Sequence, residues 1–232
     1  MKINNIHASL IFATLIFALS AQTQTVVRGE TTAEEDYLSN FEDIIIAELT
    51  ASDEYDNKTL ALQYIEDALA NSGSSRDMTQ IQAALGSLAG EGITKEARTA
   101  GRLANNFPDV RAKACTLLAQ LPTEESKNVL TKIALEDTEP MVATAAIRSL
   151  AIIGIDPDEA VSTIAWVQKR YAVLNPTSSL AYEMLTAFEL LGSQVQDKSP
   201  MIQCISSIAT NYSYATPVRD KAKALLKQYT GR

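Results

Sequence analysis

Residues 107–121 read FPDVRAKACTLLAQL, and Pro122 closes the phrase. It returns three times: residues 138–154 are TEPMVATAAIRSLAIIG, 177–192 are TSSLAYEMLTAFELLG and 215–228 are ATPVRDKAKALLKQ. Aligning the first large apolar residue of each sets Val110, Val142, Leu180 and Val218 in register, at intervals of 32, 38 and 38 residues. Four residues later stand Ala114, Ala146, Met184 and Ala222; eight later stand Leu118, Leu150, Phe188 and Leu226. Spacings of four and eight place side chains on one helical face. Pro108, Pro140 and Pro217 stand where a helix begins, a position at which the missing N–H is harmless. A further helical pattern follows three of the phrases, at residues 126–135, 158–174 and 199–211. One such helix pair cannot bury its apolar face alone, so the pairs must stack.

Toward the N-terminus the repeat loosens. Glu34 opens a helix whose inward stripe is expected to be Leu38, Phe41, Ile44, Ile45 and Leu49, with a break at residues 53–57. A second helix should turn Leu60, Tyr64, Ile65, Ala68 and Leu69 inward and stop at residues 71–73. A third, over 77–89, aligns Met78, Ile81, Leu85 and Leu88 before Gly90 and Gly92. No window shows the alternation of a half-buried strand, so no strands are expected.

A proline, a valine with arginine, a small residue and leucines, followed by a second helix, resemble the HEAT repeat. Pro108-Asp109-Val110-Arg111 with Ala114 and Leu118 matches best, and Pro217-Val218-Arg219 with Ala222 comes next. The unit at 140 carries Ala143 where the arginine would fall, and the unit at 180 has neither proline nor arginine. The resemblance covers residues 94–232 well and 34–92 loosely. It implies an all-α, right-handed α-α superhelix of the HEAT or armadillo type, with about five helix pairs. Proteins of this kind are mostly scaffolds and binding surfaces, and a few are enzymes.

Sparse glycine and proline, with 6% aromatic residues, suit a helical chain. Lys2 followed by the apolar run at 8–19 and small residues at Ala18, Ser20 and Ala21 reads as an export signal, cut after Ser20 or Ala21. That run is shorter than the roughly 17–25 residues a membrane span needs. The expected organisation is a signal at 1–21, a flexible leader at 22–33, an acidic helical cap at 34–93 and HEAT-like repeats at 94–232. The mature chain should be periplasmic or secreted, with no membrane span.

The formal charge of −8 is uneven. Residues 28–67 hold twelve acids against Arg28 and Lys58, whereas residues 68–232 are close to neutral. Duplex binding draws on clustered Lys and Arg, and the only basic concentration is Arg219, Lys221, Lys223 and Lys227, so nucleic acid is not expected as a partner. Cys115 and Cys204 lie far apart in a stacked array. A bridge needs Cα atoms within about 7 Å, so two buried thiols are expected.

Catalytic chemistry is hard to assemble. The single histidine, His7, lies in the segment read as removed, which leaves no Ser–His or Cys–His pair and no histidine for a metal. There is no S-x-x-K, no G-x-S-x-G, and Gly73-Ser74-Ser75 lacks the G-K-[ST] of a phosphate loop. Asp156-Pro157-Asp158-Glu159 reads as helix-start chemistry. Residues 53–57 (DEYDN) have Lys58 and Tyr64 where a calcium loop needs glycine and glutamate. No catalytic residue, metal or cofactor is therefore expected, and the function read here is protein binding.

Two features mark candidate binding residues. On the helix at 158–174 the stripe is Ala160, Ile164, Val167 and Tyr171, and Trp166 falls about 200° from Ile164, with Val173 on the same far side. Such a tryptophan either anchors a partner or packs on the adjoining repeat. The second feature is the acidic end, with Glu34, Glu35, Asp36, Asp53, Glu54 and Asp56: a polar end cap, or a dock for a basic partner or for the last helix of another copy. The reading from a different class is a lyase-like or small-ligand-binding protein. It requires a deep groove with converging polar groups.

Overall fold

Proline in the first turn starts five of the ten helices found among the described residues, at Pro108, Pro140, Pro157, Pro200 and Pro217. The computed structural model describes residues 33–71 and 76–231, apart from the side chains of Ala33, Glu35 and Asp36. Residues 1–32, which hold the expected signal and most of the expected leader, and residues 72–75 lie outside the described residues.

The helices are α1 (Ala33–Ala51), α2 (Tyr55–Asn71), α3 (Thr79–Ala89), α4 (Pro108–Leu118), α5 (Glu124–Glu136), α6 (Pro140–Ile153), α7 (Pro157–Leu174), α8 (Ser178–Leu191), α9 (Ser199–Thr210) and α10 (Thr216–Thr230). They alternate between two layers. One runs α2, α4, α6, α8, α10 and the other α1, α3, α5, α7, α9, each helix touching the next in its own layer. Five pairs result. Among the described residues the array is open, because α1 touches only α2 and α3 while α10 touches only α8 and α9. An open stack of helix pairs is an all-α, HEAT-like solenoid.

The repeat positions form its seam. Val110, Val142, Leu180 and Val218 are buried, as are Ala114, Ala146, Met184 and Ala222, and Leu118, Leu150 and Phe188. Leu226, on the last helix, is covered only in part. Cys115 and Cys204 are free and buried in this seam.

Three expectations need correction. Tyr37 (70% exposed), Leu38 (58%), Phe41 (56%) and Ile44 (63%) face outward on α1, whose buried residues are Ile46 and Thr50 among those described. Leu60 of α2 is likewise exposed, the core being reached by Ala61, Leu62, Ile65 and Ala68. An end helix is covered on one side only, so an apolar residue there need not be inward. The third correction is a short antiparallel hairpin, β1 (Arg98–Thr99) and β2 (Arg102–Leu103), in the loop between α3 and α4. Its strands are too short to leave any alternation in the sequence.

Two glycines at equivalent places serve different needs. Gly154 ends α6 with φ +65°, a left-handed conformation that costs other residues about 1–2 kcal/mol. Gly192 ends α8 with ordinary dihedrals, but Tyr229 of α10 lies against it, donating its hydroxyl to the Phe188 carbonyl at 2.9 Å. A Cβ at Gly192 would collide with the Tyr229 hydroxyl and come within 2.7 Å of its Cζ. Gly192→Ala is expected to cost about 1–3 kcal/mol by overpacking, read by urea denaturation. In a Tyr229→Ala background the ring's share of that cost should vanish, while the new Cβ still stands 2.7 Å from the Phe188 carbonyl; equal costs in both backgrounds would mean that the ring contact is not responsible.

Candidate functional site

The exposed edge of α7 carries Glu159, Ser162, Trp166, Lys169 and Val173, while Ala160, Ile164, Val167 and Tyr171 face the core. Trp166 is 50% exposed and Val173 83%. Seven residues apart, they share one face of the helix. Trp166 therefore presents its indole to solvent and is not sealed between repeats.

Its ring is held from beneath. The Arg170 guanidinium lies 5.2 Å from the Trp166 centroid and 4.9 Å from that of Tyr171. That guanidinium donates to the carbonyls of Leu135, of Ala134 at 3.3 Å and of Asp137 at 2.6 Å, at the C-terminal end of α5. A cation suits that end, where unpaired carbonyls carry partial negative charge. The neighbouring helices of this layer expose mainly small or polar residues: Gln80, Ala83 and Ser87 on α3, Asn128 and Lys132 on α5, Gln203 and Ser206 on α9. A fixed aromatic in a polar field has the character of an interface anchor.

Buried charges run beside this platform. Arg111 Nε donates to Asp137 Oδ2 at 2.7 Å and Nη2 to Oδ1 at 3.3 Å, while Nη1 reaches Asn106 Oδ1 at 2.9 Å and the Glu91 carbonyl at 3.3 Å. Asp137 also accepts from the Glu139 N–H at 2.8 Å, and its carbonyl accepts from the Tyr171 hydroxyl at 3.2 Å. Burial chiefly, with Asp137 nearby, raises the Tyr171 hydroxyl above its ordinary value, opposed by Arg170. Deeper still, Glu91 pairs with Lys58 at 2.5 Å through one oxygen and accepts from Asn105 Nδ2 at 2.5 Å through the other. Each of these four buried charges has a partner, as a structural network requires.

At the other end of α7, Asp158 accepts the N–H groups of Gln196 and Asp197, both at 3.0 Å, and so ties the helix start to the α8–α9 loop. Lys127 meets Glu159 at 2.8 Å, Glu124 at 3.1 Å and Asp156 at 3.5 Å, and the hydrogen bonds to Glu159 and Glu124 hold its ammonium above the ordinary range. The acids read as helix-start residues thus also hold repeats together. Burial pushes the Cys115 thiol up to about 12 and raises that of Cys204 as well, so neither is primed as a nucleophile.

Among the described residues, the acidic candidates do not gather into one site. Glu34 is exposed on α1, while the side chains of Glu35 and Asp36 are outside the described residues. Asp53, Glu54 and Asp56 are exposed at the α1–α2 corner, where Ser52 Oγ accepts the Glu54 N–H at 3.2 Å and Asn57 Nδ2 at 2.9 Å. Tyr55 is already helical there, and among the described residues no group of His, Cys, Asp or Glu is placed to hold a metal ion.

A depression of about 610 Å³ lies between α4, α6 and α8 and is lined by residues such as Thr116, Met141, Thr144 and Arg148. Thr116, Met141 and Arg148 are themselves solvent-exposed, so this is a shallow trough. No helix among the described residues is long and apolar enough to cross a membrane.

No curated protein and no solved structure matches the chain. Residues 96–170, which run from the hairpin loop through α4, α5, α6 and most of α7, match the family model of HEAT repeats. HEAT repeats generally mediate protein interactions. The layered helix pairs, the prolines that start them and this match agree: residues 96–170 are similar to HEAT repeats, and they lie within an all-α, HEAT-like solenoid.

Proposed function

We propose that this protein is an exported scaffold or assembly factor of a bacterial envelope, which holds a protein partner against the face of α7 bearing Trp166 and Val173. The observation that carries the reading is the indole clamped over Arg170 with half its surface left to solvent. A pre-positioned aromatic loses little side-chain freedom on binding and buries much area. The partner is a protein because the chain is acidic overall and its one basic concentration is the four residues Arg219, Lys221, Lys223 and Lys227 on α10, little for binding phosphates. Export rests on Lys2 and the apolar run at 8–19.

Trp166→Ala removes a cation–π contact worth about 0.5–1 kcal/mol and the half of the indole already covered. It should therefore cost about 1–2 kcal/mol of stability, against about 3–5 kcal/mol for Phe188→Ala at a buried aromatic. A photo-crosslinker at Val173 in the producing cell should yield a discrete adduct, and the adduct should disappear in Trp166→Ala. Adducts unchanged by that substitution would remove the α7 face from the reading. The protein recovered from the periplasm or medium should begin at Ala21 or Gln22; a chain retained inside the cell with Met1 in place would end the export part.

A further inference from the structure

The outward stripe of α1 has an order of its own. Glu34, then Tyr37 and Leu38, then Phe41, then Ile44 and Ile45, then Glu48 follow one another at three- and four-residue steps. This line is centred about 140° from buried Ile46, so α1 has two apolar faces, and among the described residues the solenoid covers only one. Carboxylates stand at both ends of the stripe, roughly 21 Å apart. A groove of about 470 Å³ runs alongside, lined by Leu38, Phe41, Ile45, Glu42 and Tyr64. Arg76 fastens the inner edge through Glu42 at 2.7 Å and Asp43 at 2.6 Å. The opposite end of the array is finished differently: α10 buries Val218, Ala222 and Leu225 and exposes Asp220, Lys223, Lys227 and Gln228. Terminal repeats need a polar outer face. The C-terminal end has one, whereas the N-terminal end exposes a seam with the spacing of a helix–helix contact.

We propose that this seam docks an amphipathic helix of a partner protein, with leucine-like residues along one face and lysine or arginine at its flanks. Charge selects that occupant. A second copy of α1 would set Glu34 against Glu48 in antiparallel pairing, or like against like in parallel pairing. The exposed side of α10 from another copy is basic but lacks an apolar stripe. Surface-lying membrane helices carry lysine and arginine on their polar face, whereas residues 28–67 hold twelve acids and two bases. A basic helix laid into the groove satisfies both the apolar stripe and the carboxylates at its ends.

The test uses two synthetic 18-residue helices with the same leucine face, one flanked by lysine and one by glutamate, titrated by fluorescence anisotropy against the protein beginning at Gln22. The basic peptide should bind at least tenfold tighter than its acidic twin at low salt and weaken as salt rises. Phe41→Ser, at an exposed position, should reduce that binding at least tenfold while the melting temperature stays put. Glu34→Lys with Glu48→Lys should reverse the preference. Trp166→Ala should change nothing, which separates this seam from the α7 face. The inference is overturned by equal binding of the two peptides, by binding of neither, or by Phe41→Ser without effect. It is overturned equally by Phe41-dependent self-association in sedimentation equilibrium, or by Phe41-dependent capture on anionic lipid vesicles.

Discussion

Arg111→Ala is expected to cost about 3–5 kcal/mol of folding free energy, because it strands the buried Asp137 carboxylate without its counter-charge. In a chain of this size that corresponds to a melting temperature lower by roughly 6–20 °C. Both side chains are all but inaccessible, at 3% and 1% exposure, so water cannot take over the lost bonds. The guanidinium also spans Asn106 and the Glu91 carbonyl, which makes it the tie between the α3–α4 loop and the α5–α6 corner. Arg111→Lys should recover less than half of the loss, since an ammonium cannot reproduce a two-pronged contact with a carboxylate and reach two further acceptors. Replacing both partners, Arg111→Met with Asp137→Leu, should cost less than the sum of the single changes. Hydrogen exchange gives the sharper view, because neighbouring pairs in a stack unfold semi-independently. Amides of α4 and α5 should lose protection first and those of α9 and α10 last. A change below 1 kcal/mol for Arg111→Ala would show that the pair is dispensable.

The repeat pattern alone singles out that arginine, as the residue after Val110 in the best-matched unit. Its partner carries no such mark. Asp137 sits in a corner between helices, where an acid usually means a turn, and only the stacking brings it under Arg111. The same division runs through the fold. Val110, Val142, Leu180 and Val218, with the residues four and eight places later, are legible because a buried face repeats at a fixed spacing and each anchor meets the same environment. The outward turn of Phe41 and Ile44 is not legible, since α1 has apolar residues around much of its circumference and spacing alone does not say which side the next helix covers. Leu60 escapes for the same reason.

Of the candidate surfaces, the departure of Trp166 from its own stripe follows from counting residues along a helix. Whether it meets solvent or a neighbouring repeat depends on how α5 and α9 sit beside α7, which no local pattern encodes. Arg170, one turn further on, is within reach of the same counting, but its anchorage on the α5 carbonyls is not. The acidic end is marked by composition alone. Composition cannot distinguish a solvated cap from a charged rim around an apolar seam, and the difference lies in Tyr37, Leu38, Phe41 and Ile44.

Glu91→Gln should be nearly as damaging as loss of Arg111, about 3–5 kcal/mol, because it leaves the Lys58 ammonium charged and buried with the Thr50 carbonyl as its remaining acceptor at 2.8 Å. Both side chains of the pair are fully buried. Glutamine keeps the shape and still accepts from Asn105, so the expected loss reports on charge and not on packing. Asn105 also donates to the Lys95 carbonyl at 2.6 Å and accepts the Ala97 N–H at 2.8 Å, so the hairpin loop should loosen along with the pair. Removing both charges, Lys58→Met with Glu91→Met, should be milder than Glu91→Gln alone, since no unpaired ion remains in the core. The consequence most worth measuring is at α1. Lys58 holds the Thr50 carbonyl in the last turn of that helix, so Glu91→Gln should release α1 before the rest of the array. Amides of α1 and of residues 91–106 should then exchange fast in hydrogen exchange while α8 and α10 keep their protection. Uniform loosening across all five pairs, or a cost under 1 kcal/mol, would show that Lys58 and Glu91 do not fasten this end.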